Sequence, residues 1–204
     1  VDDREFIADR VAALKESVRY FGNKYKSERE RWVCKEFLMN LDVPFEEADI
    51  RTPDTDPPDV EFSSARFEVK EILDRGRKRH DEYKRELAKA QNASDPQELV
   101  TLYTPQDITP AELCDLVRTH LAELGDDYLA DSRHSMDLVY YVNLKHHMLQ
   151  AGEMPDVSDL NTMGWRSICA LMHRTSFVLY AAEHAPCFIA ERGVSVTVRP
   201  SHVE

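Results

Sequence analysis

The stretch Pro58-Asp59-Val60-Glu61-Phe62, followed after a short gap by Phe67-Glu68-Val69-Lys70-Glu71, decides how the rest of the chain is read. Side chains of a strand alternate between faces, so Glu68 and Lys70 share one side while Phe67 and Val69 share the other. Phe62-Ser63-Ser64-Ala65-Arg66 reads as a tight return. Val60 to Phe62 and Arg66 to Ile72 can then pair as antiparallel strands, bringing Asp59 close to Glu68 with the Lys70 ammonium beside them. Two plainer readings stand beside this one. Asp59 after two prolines also suits a turn cap, and Glu68-Val69-Lys70 also suits a solvated strand face.

Upstream, Phe6, Ile7, Val11, Leu14, Val18 and Phe21 recur at helical spacing and predict a helix over 4–21, ended by Gly22-Asn23. A second helix is expected from Ser27 to about Asn40, with Ser27 and Glu30 as a capping box. Val33, Cys34, Phe37 and Leu38 form its apolar face, and Glu30 extends that face by one turn. Glu36 falls nearer the flank. Val43 to Glu46 is expected as a short strand with Pro44 near an edge, and 52–58 as a loop rich in proline and aspartate.

Downstream, Asp81 to Gln91 and Thr109 to Leu124 read as helices. Leu99 to Tyr103 suits a strand or a loop, and Leu138 to Leu144 a strand. Trp165 to Met172 fits helix and strand equally. Ser176 to Ala182 and Cys187 to Ala190 are apolar core elements of open type, and Val194 to Val198 alternates as an edge strand. The expected architecture is one α/β domain over 1–204, a mixed β-sheet flanked by helices. Helix 4–21 and the acidic helical region 92–137 are additions to its core.

With 204 residues the chain can bury a full core, and 42% apolar with 31% charged residues describes a globular protein. No apolar run is long enough to span a bilayer, so no membrane role is expected. The opening Val1-Asp2-Asp3-Arg4-Glu5 does not read as a secretory signal. Cys34, Cys114, Cys169 and Cys187 lie far apart and read as buried thiols of a reducing compartment, which points to the cytoplasm. His146, His147, His173 and His184 lack cysteine partners at zinc-ligand spacing. The net charge of −12 argues against a general nucleic-acid coating protein. Positive charge is concentrated just after Lys70, in Arg75, Arg77, Lys78, Arg79 and Lys84, which are candidates for contacts to a phosphate backbone.

The residue types around the hairpin suit a hard divalent cation. Magnesium takes oxygen ligands in octahedral geometry, and manganese can replace it. Asp59 and Glu68 can supply carboxylates and Val69 its backbone carbonyl, while Glu30 can bind metal directly or hold one of its waters. Lys70 can orient an attacking water and stabilise charge on a phosphate. In this pattern, Pro58-Asp59 followed nine residues later by Glu68-Val69-Lys70, the chain resembles the PD-(D/E)xK nucleases. It is similar, more closely, to a small bacterial family described as candidate endonucleases. The resemblance covers residues 27–90 and implies a restriction-endonuclease-like fold. It also implies a Mg2+-dependent endonuclease acting on nucleic acid, DNA in preference to RNA, with Glu30, Asp59, Glu68 and Lys70 at the site. The competing expectation is an inactive nuclease-like fold that binds nucleic acid or protein. A protein partner or a homodimer is compatible with the acidic remainder.

Overall fold

The computed structural model describes residues 2–124 and 127–200. In chain order the elements are α1 (Asp3–Tyr20), α2 (Lys26–Asn40), β1 (Val60–Phe62), β2 (Ala65–Leu73), α3 (Arg79–Asn92), β3 (Gln106–Ile108) and α4 (Pro110–Leu124). There follow α5 (Ala130–His134), β4 (Asp137–Asn143), β5 (His147–Leu149), β6 (Ser167–Met172), β7 (Thr175–Ala181), α6 (Cys187–Ala190) and β8 (Ser195–Val198). Six strands form one mixed sheet in the order β1-β2-β4-β6-β7-β8. Its middle, β2-β4-β6, is parallel. The strands outside it join antiparallel. β3 and β5 pair separately as a two-stranded parallel ribbon.

Period-two alternation divides the core between the two sheet faces. Phe67, Val139, Cys169 and Val178 pack with Val33, Cys34, Phe37 and Leu38 of α2. Ile72, Leu138, Tyr140, Ile168 and Ala170 pack with Leu113, Cys114, Val117 and Leu121 of α4. The apolar stripe of α4 thus walls the second face, although the helix lies within the acidic stretch of sequence. α1 buries only Leu14. It rides on α3, with Phe21 stacked on Tyr83 at 4.8 Å between ring centroids.

One buried carboxylate ties the parallel strands together. Asp137, fully buried at the start of β4, accepts from the Arg66 backbone N–H at 3.0 Å, from Ser167 Oγ at 2.8 Å and from Arg166 Nε at 3.0 Å. Arg166 adds a second, ion-paired contact to Asp137 and donates to the Ser64 carbonyl at 3.1 Å. The start of β2, β4 and β6 therefore meet at a single anion whose lone pairs are used.

Several elements differ from the sequence reading. α2 starts at Lys26 out of a 3₁₀ turn over Asn23–Tyr25, and no side chain caps it. Ser27 already lies inside the first turn, so its capping box with Glu30 does not form, and Glu30 faces inward. The expected strand over Val43–Glu46 is an irregular segment. Pro44 has no N–H to give a ladder, and the β1 edge is instead met by Arg51 in a single bridge to Glu61. Leu99–Tyr103 ends in exposed loop. The ambiguous Trp165–Met172 contains β6, buried on both faces, which removes the alternation that marks a half-exposed strand. Cys34, Cys114 and Cys169 are buried and unpaired as expected, but Cys187 is exposed. Among the described residues no helix is long and apolar enough to cross a membrane.

Phe37 is fully buried and meets Phe67 edge to face at 6.0 Å. Phe37→Ala is expected to cost ~3–5 kcal/mol in denaturant unfolding. Phe6→Ala, on the exposed side of α1, should stay within about 0.5 kcal/mol.

Candidate metal centre

The β1–β2 hairpin builds the centre from both of its strands. Val60 lies opposite Phe67, and continuing that register by one residue sets Asp59 opposite Glu68. The Asp59 N–H extends the ladder by donating to the Phe67 carbonyl at 3.0 Å. Its side chain folds back so that Oδ2 accepts the Val69 N–H at 3.0 Å. On β2, Glu68 and Lys70 share a face, and Lys70 Nζ donates to Glu68 Oε1 at 2.7 Å. The Tyr128 hydroxyl, arriving from before α5, donates to the same oxygen at 2.5 Å. The Glu68 side chain is only 3% exposed. Its other oxygen, Oε2, is buried and has no partner among the described residues.

Asp56, exposed in the loop before β1, completes a cluster. One carboxylate oxygen from each of Asp56, Asp59 and Glu68 lies within 4.8 Å of the others. α2 closes the side of the centre. Lys26 Nζ sits 3.0 Å from both Glu30 Oε1 and Asp59 Oδ1. Burial, together with the neighbouring Asp59 charge, pushes the Glu30 carboxyl up to about 7 despite its pairing with Lys26. Burial disfavours the ammoniums of Lys26 and Lys70, yet their carboxylate partners hold both above the ordinary lysine value. Burial and the Glu68 carboxylate raise Tyr128 to about 12. Alongside lies a cavity of about 300 Å³ whose polar lining includes Lys26, Arg29, Glu30, Lys70, Glu71 and Arg79.

The structure thus places Asp59, Glu68 and Lys70 together, with Glu30 joined to them through Lys26. Val69 meets the group through its N–H. The basic residues divide. Arg79 lines the cavity, paired with Glu71 at 2.8 Å and lying over the Phe21 ring at 4.0 Å. Arg77 is held by Glu82 at 2.7 Å, Asp74 at 3.3 Å and the Asn143 carbonyl at 2.8 Å. Arg75 lines a separate depression with Asp107, Glu112 and Asp115. Lys78 and Lys84 are exposed.

Three residues of the centre were missing from the sequence reading. Lys26 stands four residues before Glu30, a spacing that faces the two on one helix side and was open to recognition. Asp56 was one of several aspartates in its loop. Tyr128 lies sixty residues from Glu68, and no local pattern links them.

Three carboxylates, one with a free buried oxygen, form a donor set that can hold a divalent metal ion. Fold and cluster together define a mixed α/β protein with a candidate divalent-metal centre. The chain belongs to the family described as "Putative endonuclease, protein of unknown function (DUF1780)", whose model matches residues 2–201. A solved structure from Pseudomonas aeruginosa strain PAO1, of a protein of unknown function described as "Monooxygenase Superfamily", is similar at 26% identity with a TM-score of 0.68. The similarity covers 100% of this chain and 99% of that one. No curated protein matches the chain.

The whole-length likeness to a protein placed in the monooxygenase superfamily corrects the assignment to the PD-(D/E)xK nucleases and their restriction-endonuclease-like fold. That assignment rested on one hairpin and its neighbours over 27–90. Two acids and a lysine on a hairpin constrain two strands, whereas the arrangement of all six strands is set by residues throughout the chain. The endonuclease function, the Mg2+-dependent phosphodiesterase activity, the DNA-binding description and the inactive nuclease-like module fall with it.

Glu30 holds its proton more tightly folded than unfolded. The stability this contributes is complete below the ordinary glutamate value of 4.5 and is lost as pH rises through about 7. The melting temperature of wild type minus that of Glu30→Gln is therefore expected to fall between about pH 5 and 8. A pH-independent difference would place the Glu30 titration in the ordinary carboxylate range.

Proposed function

We propose that this chain binds a hard divalent cation, Mg2+ or Mn2+, at Asp56, Asp59 and Glu68, and uses it to hold a phosphate-bearing ligand in the adjoining cavity. The observation that carries this reading is the free, buried Oε2 of Glu68 beside two further carboxylates. A buried carboxylate oxygen left unpaired costs stability unless a cation or water takes it. The donors are all carboxylates with no imidazole among them. They suit a hard cation and differ from the two-histidine, one-carboxylate iron site of many oxygenases.

The charges around the cavity explain why cation and ligand belong together. Glu30 and Glu71 line it together with Lys26, Arg29, Lys70 and Arg79, and the carboxylates of Asp56, Asp59 and Glu68 stand beside it, joined through Lys26 and Lys70. A phosphate approaching the cation-free site meets more carboxylates than ammonium and guanidinium groups. A bound divalent ion supplies positive charge and coordination positions for oxygen, and so reverses that balance. The chain's own residues do the rest. Lys26, with 58% of its side chain exposed, and Lys70 present ammoniums to the phosphate oxygens, and Arg79 closes the cavity wall. The expectation of a nucleic-acid partner enters here through its chemical core, the phosphate group. The four unpaired cysteines support a cytoplasmic location.

Calorimetric titration with MgCl2, followed by inorganic phosphate, a nucleoside diphosphate and a short oligonucleotide in separate arms, tests the reading and distinguishes the sources of phosphate. Phosphate-bearing ligands are expected to bind only with Mg2+ present. Asp59→Asn and Glu68→Gln should each weaken Mg2+ by ~10-fold or more, since affinity follows ligand charge. Ligand binding indifferent to Mg2+, or Mg2+ affinity untouched in both variants, would sink the proposal.

A further inference from the structure

We infer that Tyr128 is a positioning residue that sets which divalent cation the centre prefers, an inference that rests on the metal reading above. Its phenol hydroxyl and the Lys70 ammonium both donate to Glu68 Oε1, at 2.5 and 2.7 Å. Two donors on one oxygen, one of them charged, use up its accepting capacity and fix the carboxylate plane. Lys70 is anchored in turn over the Tyr128 ring, 5.3 Å from its centroid. The ring packs against Trp165 with centroids 5.2 Å apart, so the phenol is held from behind as well. Only Oε2 is left without a partner, on a carboxylate that clusters with those of Asp56 and Asp59.

A glutamate held in this way binds metal through one oxygen. That matters for selectivity. Mg2+ keeps six ligands in near-octahedral geometry and is served by single carboxylate oxygens and water. Ca2+ takes six to eight oxygens at longer distances and gains from bidentate carboxylates. Engaging Oε1 with a phenol and an ammonium denies Ca2+ the second oxygen of the most buried ligand. The device is built from a residue sixty positions away in sequence, outside the hairpin that supplies the acids. It selects by withholding a ligand atom rather than by adding one.

Tyr128→Phe removes the hydroxyl and keeps the ring, its packing on Trp165 and its contact with Lys70. Titration of the full chain with MgCl2 and with CaCl2 by calorimetry gives the two affinities. Terbium(III) luminescence, sensitised by the neighbouring aromatic rings, reads the same site spectroscopically. In wild type, Mg2+ is expected to compete with terbium more effectively relative to Ca2+ than in the variant. The Ca2+/Mg2+ affinity ratio should rise by about tenfold in Tyr128→Phe, with fewer waters left on bound terbium as judged by its lifetime in H2O and D2O. Lys70→Met removes the other donor and should move the ratio the same way. If both affinities fall equally, or neither changes, Tyr128 has a merely structural role and the selectivity inference is overturned while the metal centre stands. If wild type binds none of the three ions, both readings fail together.

Discussion

The buried Asp137 carboxylate is the interaction on which the arrangement depends. A fully buried anion is tolerable only when its lone pairs are met. Here they are met from three places in the chain at once: the Arg66 N–H at the start of β2, Ser167 at the head of β6, and Arg166 just before it. Side-chain alternation makes a one-residue slip of a strand expensive, because every residue changes face. With β2, β4 and β6 pinned at one end, Phe67 faces Asp137 and Asp137 faces Ser167. Glu68 then falls beside Leu138 at the point where Tyr128 can reach it. Loss of Asp137 would leave the half-buried Arg166 without its counter-ion and release the register that aims Glu68.

The two faces of the sheet contribute unequally to the candidate centre. α2 packs on one face and delivers Glu30 and Lys26 from its first turns. The other face carries Glu68 and Lys70 toward Tyr128 and Trp165. Asp59 stands at the sheet's edge, where the hairpin begins, and can be reached from both. The centre therefore belongs to the edge of the sheet rather than to either layer. This is why Asp59 and Glu68 are well buried while Lys26 and Asp56 remain open to solvent.

Much of this was legible where the chain is locally determined. The hairpin follows from alternation over a dozen residues, and α2 from a stripe whose spacing carries Glu30 inward. Legibility failed wherever a partner lies far along the chain. β6 is covered on both faces and so loses its periodicity. β3 is three residues of Gln-Asp-Ile whose pairing with β5 no short window discloses. Asp56 looked like one more loop aspartate, and nothing near Tyr128 in sequence ties it to Glu68, sixty residues away. The short acid-and-lysine pattern was legible too, but it speaks for a hairpin. Extending it to a whole fold and an activity asked more of those residues than their number can constrain.

Lys26 gives the centre a further property. Its ammonium lies between Glu30 and Asp59, at 3.0 Å from each, and so acts as a tethered counter-ion. Many small metal-binding domains are unfolded until their ion arrives, because the ion's binding free energy supplies the free energy of folding. Here compensation is written into α2 and travels with the chain. Were a cation to enter as proposed, it would replace a positive charge already standing between two carboxylates rather than fill an uncompensated anionic hole.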